Sequence, residues 1–276
     1  MQVFKIFTTE KKNKSTLLNI LGVQPLRTFI AYRLQSRKRV SLDIALPQNT
    51  KQMIDQNGYL KLDNFIDSND FVDLKRDCKH AFENHPNRNI VNEISVNYVW
   101  VPITKERMVE YQAISNFLES KQLEFITELA SYNQGQKLST EDIELYLHRV
   151  WTSNGYKNEP NQMMHVDTFH SSTKGWIYLD DVREDEGPLN YLPKSNYIDS
   201  WRLGFEYRSS ILQKQCSGSW RIEDSEWKKK YGSQKEFIVK ENTCVIADTI
   251  GFHRRGDAKQ GIKRDSIFFS VRKSPF

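Results

Sequence analysis

The sequence predicts a mainly β protein with flanking helices, organised on a double-stranded β-helix (jelly-roll) core. Three observations carry that prediction. The second half of the 276-residue chain is a succession of short β-forming runs. Gly and Pro punctuate them at Gly155, Pro160, Gly187, Pro188, Pro193, Gly232, Gly251 and Gly256. No helical pattern of crossover length separates them, so the strands pair antiparallel, as in sandwiches, barrels and jelly rolls.

The elements follow in order. Residues 1–45 read as a basic helical arm, and 46–276 as one jelly-roll domain. From Leu46 to Asn64 the chain reads as a short helix, a turn at Asn57-Gly58 and a strand, Tyr-Leu-Lys-Leu-Asp. Asp67 or Ser68 caps the next helix, whose apolar positions Phe71, Leu74, Cys78 and Phe82 keep helical spacing. Ile94 to Ile103 is extended, and Met108 to Leu129 is helical. Strands are expected at Ile143–Trp151, Trp176–Leu179, Phe237–Val239, Cys244–Ile246 and Ser266–Val271. Residues 197–235 form an insert rich in Trp and Arg, expected to act as a lid over the barrel mouth.

Composition narrows the class. With 38% hydrophobic and 12% aromatic residues the chain carries enough apolar material for a core, which excludes disorder. Cys78, Cys216 and Cys244 form no CxxC pair, and an odd count without pattern favours reduced thiols and a cytoplasmic location. No stretch has the length of a membrane span or the pattern of a secretion signal. The net charge of +5 is local: residues 11–42 hold eight basic residues and no acidic one, leaving 32 basic against 35 acidic elsewhere. Such a segment can lie on an anionic membrane. Gly22 and Pro25 interrupt the amphipathic pattern, so an arm packed on the body with its basic side in water is the preferred reading. No nucleic-acid recognition motif accompanies the charge.

The chemistry is concentrated in Gln162-Met-Met-His165-Val-Asp167-Thr168. In an extended chain residues two apart share a face, so His165 and Asp167 point the same way. With a histidine from a distant strand they make a 2-His-1-carboxylate facial triad, which leaves three positions of Fe(II) open. His-x-Asp alone is a weak signal. The segment from Ala247 to Phe269 strengthens it: His253 follows a predicted strand and turn, and Arg264 opens the next strand. An arginine there can pair through two N–H groups with the distal carboxylate of 2-oxoglutarate.

At this point the chain resembles the phytanoyl-CoA dioxygenase-like iron(II)/2-oxoglutarate oxygenases. The matching features are His165-x-Asp167, the strand and acidic turn from Trp176 to Ser195, His253 and Arg264. Gly58 to Phe65 is similar to that family's strand-then-helix opening, so the resemblance runs from about residue 50 to the C-terminus. It implies a cupin-like fold, Fe(II), 2-oxoglutarate and O2, and oxidation of a small-molecule metabolite with release of succinate and CO2. Hydroxylation is the default outcome, with desaturation or demethylation as alternatives. Halogenation is disfavoured because Asp167 is present. Two departures bear on specificity: Pro193-Lys194-Ser195-Asn196 stands where Pro-Gly-Ser-His is common, and Arg254-Arg255 follow His253 where smaller residues are usual.

Supporting candidates are Trp176 and Tyr178, on one face of their strand, for the cosubstrate pocket, and Gln162, Thr168 and Ser266 for hydrogen bonds there, Thr168 also toward substrate. Trp201, Arg202, Arg208 and Arg221 of the insert suggest an anionic or sugar-like substrate. Arg255 is a further substrate candidate, although both Arg254 and Arg255 are expected to face solvent. His170 is set aside, since a fourth ligand would close a position O2 needs. His80, His85 and His148 read as surface or core residues. Two other classes remain: a zinc hydrolase using the same ligands, and a non-catalytic jelly-roll binding protein.

Overall fold

The computed structural model describes residues 15–93, 96–153, 160–213 and 219–276. Helices α1 (Thr16–Ile20) and α2 (Val23–Ser41) come first. Gly22 separates them at φ +80°, a left-handed conformation that a residue without Cβ takes freely. Pro25 is tolerated because it lies in the first turn of α2, where backbone N–H groups have no helical partner. The face that α2 turns inward is polar, with Gln24, Arg27, Thr28 and Gln35 buried. Arg27 sits 4.0 Å over the Phe169 ring, and Arg39 donates to the Asn133 carbonyl and pairs with Asp55 at 3.3 Å. The expectation that the arm's basic side faces water is corrected for these two arginines, which hold α2 to the body. Arg33 and Arg37 are exposed; Lys11, Lys12, Lys14 and Cys216 lie outside the described residues.

Helix α3 (Gln48–Asn57) ends at left-handed Gly58 and feeds β1 (Tyr59–Leu62). The Asp67 carboxylate accepts from the Asn69 N–H and caps α4 (Ser68–Asn84). Strands β2 (Asn89–Asn92) and β3 (Val96–Pro102) form a hairpin. Asn-Ile-Val-Asn has too little alternation for β2 to be read from sequence. The helix expected from Met108 to Leu129 is two, α5 (Gln112–Phe117) and α6 (Lys121–Gln134). Ser120 breaks it, because its hydroxyl accepts from Leu123 N–H at 3.3 Å and starts a new helix.

The β-rich half supplies β4 (Glu144–Thr152), β5 (His165–Val166), β6 (Thr173–Tyr178) and β7 (Leu189–Tyr191). Helix α7 (Ser200–Leu212), β8 (Trp220–Arg221) and α8 (Asp224–Tyr231) make the insert. Then come β9 (Lys235–Glu236), β10 (Cys244–Asp248), β11 (His253–Arg255) and β12 (Lys263–Val271). The strand expected at Phe237–Val239 is displaced to β9, and Val239 makes an isolated bridge to Val182.

Two antiparallel sheets result, ordered β1-β10-β6-β12-β4-β3-β2 and β8-β5-β11-β7-β9. This is the double-stranded β-helix. Period-2 alternation gives each sheet two apolar faces to cover. Phe71, Leu74, Phe82 and Leu123 of the helices cover the back of the large sheet at Leu147, Ile177, Ile246 and Ile267. Each such fully buried side chain contributes roughly 1.5–3 kcal/mol. Trp176, Leu189, Tyr191 and Val245 meet between the sheets. Phe205, Trp220 and Trp227 of the insert pack with Met164, Val166 and Phe252 on the back of the small sheet. The lid expectation is therefore corrected: these aromatic anchors satisfy the outer sheet face, away from the cavity between the sheets.

Candidate active site

Alternation in β5 turns Met164 and Val166 outward and leaves His165 and Asp167 on the inner side. Antiparallel pairing of β5 with β11 puts His253 opposite His165, their rings 4.6 Å apart. Asp167 Oδ1 lies 3.9 Å from His165 Nε2, and Asp167 Oδ2 lies 3.7 Å from His253 Nε2. All three side chains are buried, and one ligand atom from each falls within 4.8 Å of the others. Residues 88 apart in sequence thus converge through a single register.

Backbone groups orient the ligands. His165 Nδ1 contacts the Met163 carbonyl at 2.8 Å and His253 Nδ1 the Gly251 carbonyl at 3.0 Å. A carbonyl only accepts, so each Nδ1 carries the proton and each Nε2 keeps a lone pair for a metal. Gly251 has to be glycine, since an added Cβ would stand 1.8 Å from Tyr191 Oη. Ser195 Oγ accepts from Phe252 N–H at 2.7 Å, just before His253. The Pro-Lys-Ser-Asn tract is thereby placed behind β11. Asn196 donates to the Asp55 carbonyl, so this tract supports the ligand strand and is not at a substrate mouth.

Electrostatics suit a cation. Burial alone would raise the Asp167 carboxyl, but Lys174 and the two imidazoles hold it well below the usual carboxylate range. Lys174 Nζ stands 2.5 Å from Asp167 Oδ2, the charge a metal ion would otherwise supply. Burial, with His253 nearby, pushes the His165 imidazole down to about 3, and burial lowers His253 as well. Both are neutral near pH 7, the form that ligates.

The triad opens on a cavity of about 470 Å³ between the sheets. Arg264 also lines it, buried, with a guanidinium nitrogen donating to the Gly187 carbonyl. Its Nε has no hydrogen-bond partner among the described residues. Gly187 reaches that position at φ +67°, with Arg255 Cγ 3.3 Å from where a Cβ would stand. Tyr178, whose buried hydroxyl interacts with the Arg264 guanidinium, and Trp176 also line the cavity.

The other candidates are dispersed. Ser266 is buried on β12 beside Tyr178, its hydroxyl donating weakly to the His148 carbonyl at 3.4 Å. Gln162 lends its carbonyl to Arg254 outside the cavity lining, and Thr168 is buried outside it. Trp201 stacks on Phe205. Arg202 is fully buried against Glu206 at 3.1 Å, and Arg208 is an exposed partner of Glu226. Arg221 lies on β8 outside the cavity lining. A substrate role for Trp201, Arg202 and Arg208 is corrected on those grounds: each is satisfied within the insert or against the back of the small sheet. Arg254 and Arg255 line the cavity, against the expectation that they face solvent. His170 contacts the Ser171 carbonyl, apart from the triad.

Among the cavity residues that escape the sequence reading are Lys174 and His148. Lys174 shares a face with Trp176 and Tyr178, so extending that alternation by one step finds it. His148 sits on a strand correctly expected, but alternation alone does not tell which face turns inward.

The fold is similar to solved structures. The epimerase SnoN, crystallised with Fe3+, alpha ketoglutarate and nogalamycin RO, superimposes with a TM-score of 0.54 at 13% identity, over 81% of this chain and 82% of that one. EctD from S. alaskensis in its apoform gives 0.50 at 13% identity, over 83% of this chain and 77% of that one. At such identity the likeness concerns the fold. No protein-family model and no curated protein matches the sequence. Among the described residues no helix is long and apolar enough to cross a membrane.

Proposed function

We propose that the protein is a non-haem Fe(II)- and 2-oxoglutarate-dependent oxygenase of the phytanoyl-CoA dioxygenase-like type, hydroxylating a small molecule at an unactivated C–H bond. The observation that carries this reading is the pairing, at one cavity, of the buried His165–Asp167–His253 triad with a buried Arg264 whose Nε lacks a hydrogen-bond partner among the described residues. Two neutral imidazoles and one carboxylate fit a ferrous ion with three remaining positions. The ion pair of Lys174 with Asp167 supports a cation-accepting role for this carboxylate. The fold of SnoN, crystallised with Fe3+ and alpha ketoglutarate, supports the reading without deciding it.

When bound, ferrous iron with 2-oxoglutarate and O2 would supply a C–H oxidant, the keto acid being converted to succinate and CO2 as that oxidant forms. The chain's own residues do the rest. His165, Asp167 and His253 would hold the metal. Arg264 presents N–H groups to the distal carboxylate of the keto acid, a charge-assisted and geometrically specific contact. Trp176 and Phe268 wall the cavity with apolar surface and keep bulk water from the reacting atoms. A zinc hydrolase would use the same ligands but has no need for a buried arginine in the same cavity lining.

Anaerobic titration with Fe(II) and 2-oxoglutarate tests this. A weak visible charge-transfer band is expected, and Asp167→Ala should abolish both the band and succinate formation. Succinate release that survives Asp167→Ala would refute the assignment. A product that has gained one oxygen atom identifies hydroxylation, whereas loss of two hydrogens or of a methyl group identifies the other outcomes.

A further inference from the structure

The cavity lining also includes a group of flat rings around His148, of which the proposed chemistry uses only Phe268. His148 of β4 lies opposite Ser266 of β12 and Trp100 of β3, so all three share the inner face of the large sheet. The imidazole stacks on Trp100 with centroids 3.9 Å apart and planes 16° from parallel. Tyr98 flanks it at 5.7 Å, and Phe268 meets it edge-on at 6.0 Å. His148 is 7% exposed and lines the cavity, yet neither ring nitrogen has a hydrogen-bond partner among the described residues. A neutral imidazole has one N–H to donate and one lone pair to offer. Burying both unpaired is costly, and a ligand in the cavity accounts for them. Burial, with Arg264 and Arg255 nearby, holds the imidazole well below its ordinary range, so it is the neutral form that faces the cavity.

Charge on the walls points to the ligand's class. Among the described residues the lining carries Lys174, Arg254, Arg255 and Arg264 against Glu93, and counting the triad's Asp167 beside it still leaves a positive excess. A divalent metal and a doubly charged keto acid cancel each other, so filling the catalytic half leaves the positive excess in place. Such a cavity favours anions over neutral molecules of the same shape.

We propose that the substrate is a small organic anion with a flat face, seated on the Trp100–His148 stack, whose carboxylate or phosphate oxygen accepts a hydrogen bond from His148 within the cationic lining. This rests on the oxygenase reading above. Arg202, Arg208 and Arg221, outside the lining, take no part in it.

Calorimetric titration of protein loaded with redox-inert Ni(II) and saturating 2-oxoglutarate tests the proposal, using phenylacetate, phenyl phosphate and phenylacetamide as probes. At least one anion is expected to bind about 10-fold more tightly than the amide, a difference of about 1.4 kcal/mol. Preference for phenyl phosphate assigns a phosphate, and preference for phenylacetate a carboxylate. His148→Phe should remove most of that preference while the 2-oxoglutarate titration stays as in the unmodified protein. Equal binding of the amide and both anions, or full discrimination in His148→Phe, would overturn the proposal. Should His148→Phe fail to fold, Arg255→Gln is read instead: weaker binding of the anions with the amide unchanged supports the proposal, and unchanged anion binding overturns it. If 2-oxoglutarate itself does not bind to the metal-loaded protein, the oxygenase reading fails, whatever the anions do.

Discussion

Arg202 and Arg264 are both buried arginines, and they stand in opposite relations to the protein. Arg202 is satisfied on every side. Its Nε meets Glu206 at 3.1 Å, its terminal nitrogens donate to the Ser195 and Ile250 carbonyls, and its guanidinium lies 4.6 Å over the Phe252 ring. Arg264 donates to the Gly187 carbonyl and interacts with the Tyr178 hydroxyl, and beside the cavity its Nε has no hydrogen-bond partner among the described residues. The first cation is finished by folding, whereas the second waits for a ligand. A buried charge that the fold satisfies belongs to stability, and one it leaves short belongs to binding.

The largest test of that contrast is Arg202→Met. It strands the Glu206 carboxylate in the interior, and loss of one partner of a buried pair costs about 3–5 kcal/mol. Denaturant unfolding should show that drop, while 2-oxoglutarate affinity of the folded fraction remains. An Arg202→Met protein of normal stability would break the comparison.

Arg264→Lys should do the reverse. A lysine keeps the charge but loses the planar two-point fork, so 2-oxoglutarate affinity should fall about 10- to 100-fold, the worth of one charge-assisted contact. Metal affinity and the unfolding midpoint should change little. The visible-band titration measures the first and a thermal melt the second; a variant that unfolds but still binds the keto acid would count against the contrast.

A third cation sharpens the scale at its low end. Lys194 is exposed and holds φ at +66°, a left-handed conformation unfavourable to a residue with Cβ. Its side chain is neither finished nor waiting; only its backbone matters. Lys194→Gly should stabilise the protein by up to about 1 kcal/mol, with relief of Cβ strain partly offset by glycine's greater unfolded-state entropy. Equilibrium unfolding reads it, and destabilisation would show that the lysine side chain has a role the contacts do not reveal.

These cations also show where sequence reading stops. Arg202 and Arg208 look like substrate anchors in a Trp- and Arg-rich insert; Glu206, four residues on along the same helix, is a local partner for Arg202 that the reading passed over, whereas nothing local says that Glu226 takes Arg208. In the same way the basic arm reads as solvent-facing, yet Arg27 and Arg39 are spent on Phe169, Asn133 and Asp55. A partner 100 residues away leaves no mark on the local pattern. Ser120, by contrast, is a local helix start that the long apolar pattern from Met108 to Leu129 concealed.

What the amino-acid order determined by itself is what depends on near neighbours. Alternation set the strands, Asp67 and Gly58 set helix ends, and the two-residue step from His165 to Asp167 put an imidazole and a carboxylate on one face. Tertiary structure decided everything that depends on register between distant strands. Pairing of β5 with β11 brings His253 to His165, and pairing of β12 with β4 and β6 lines up Arg264, His148 and Lys174 around one cavity. The physical reason is that a strand's pleat specifies two faces but not which is buried. That choice is made only when the sheets close on each other.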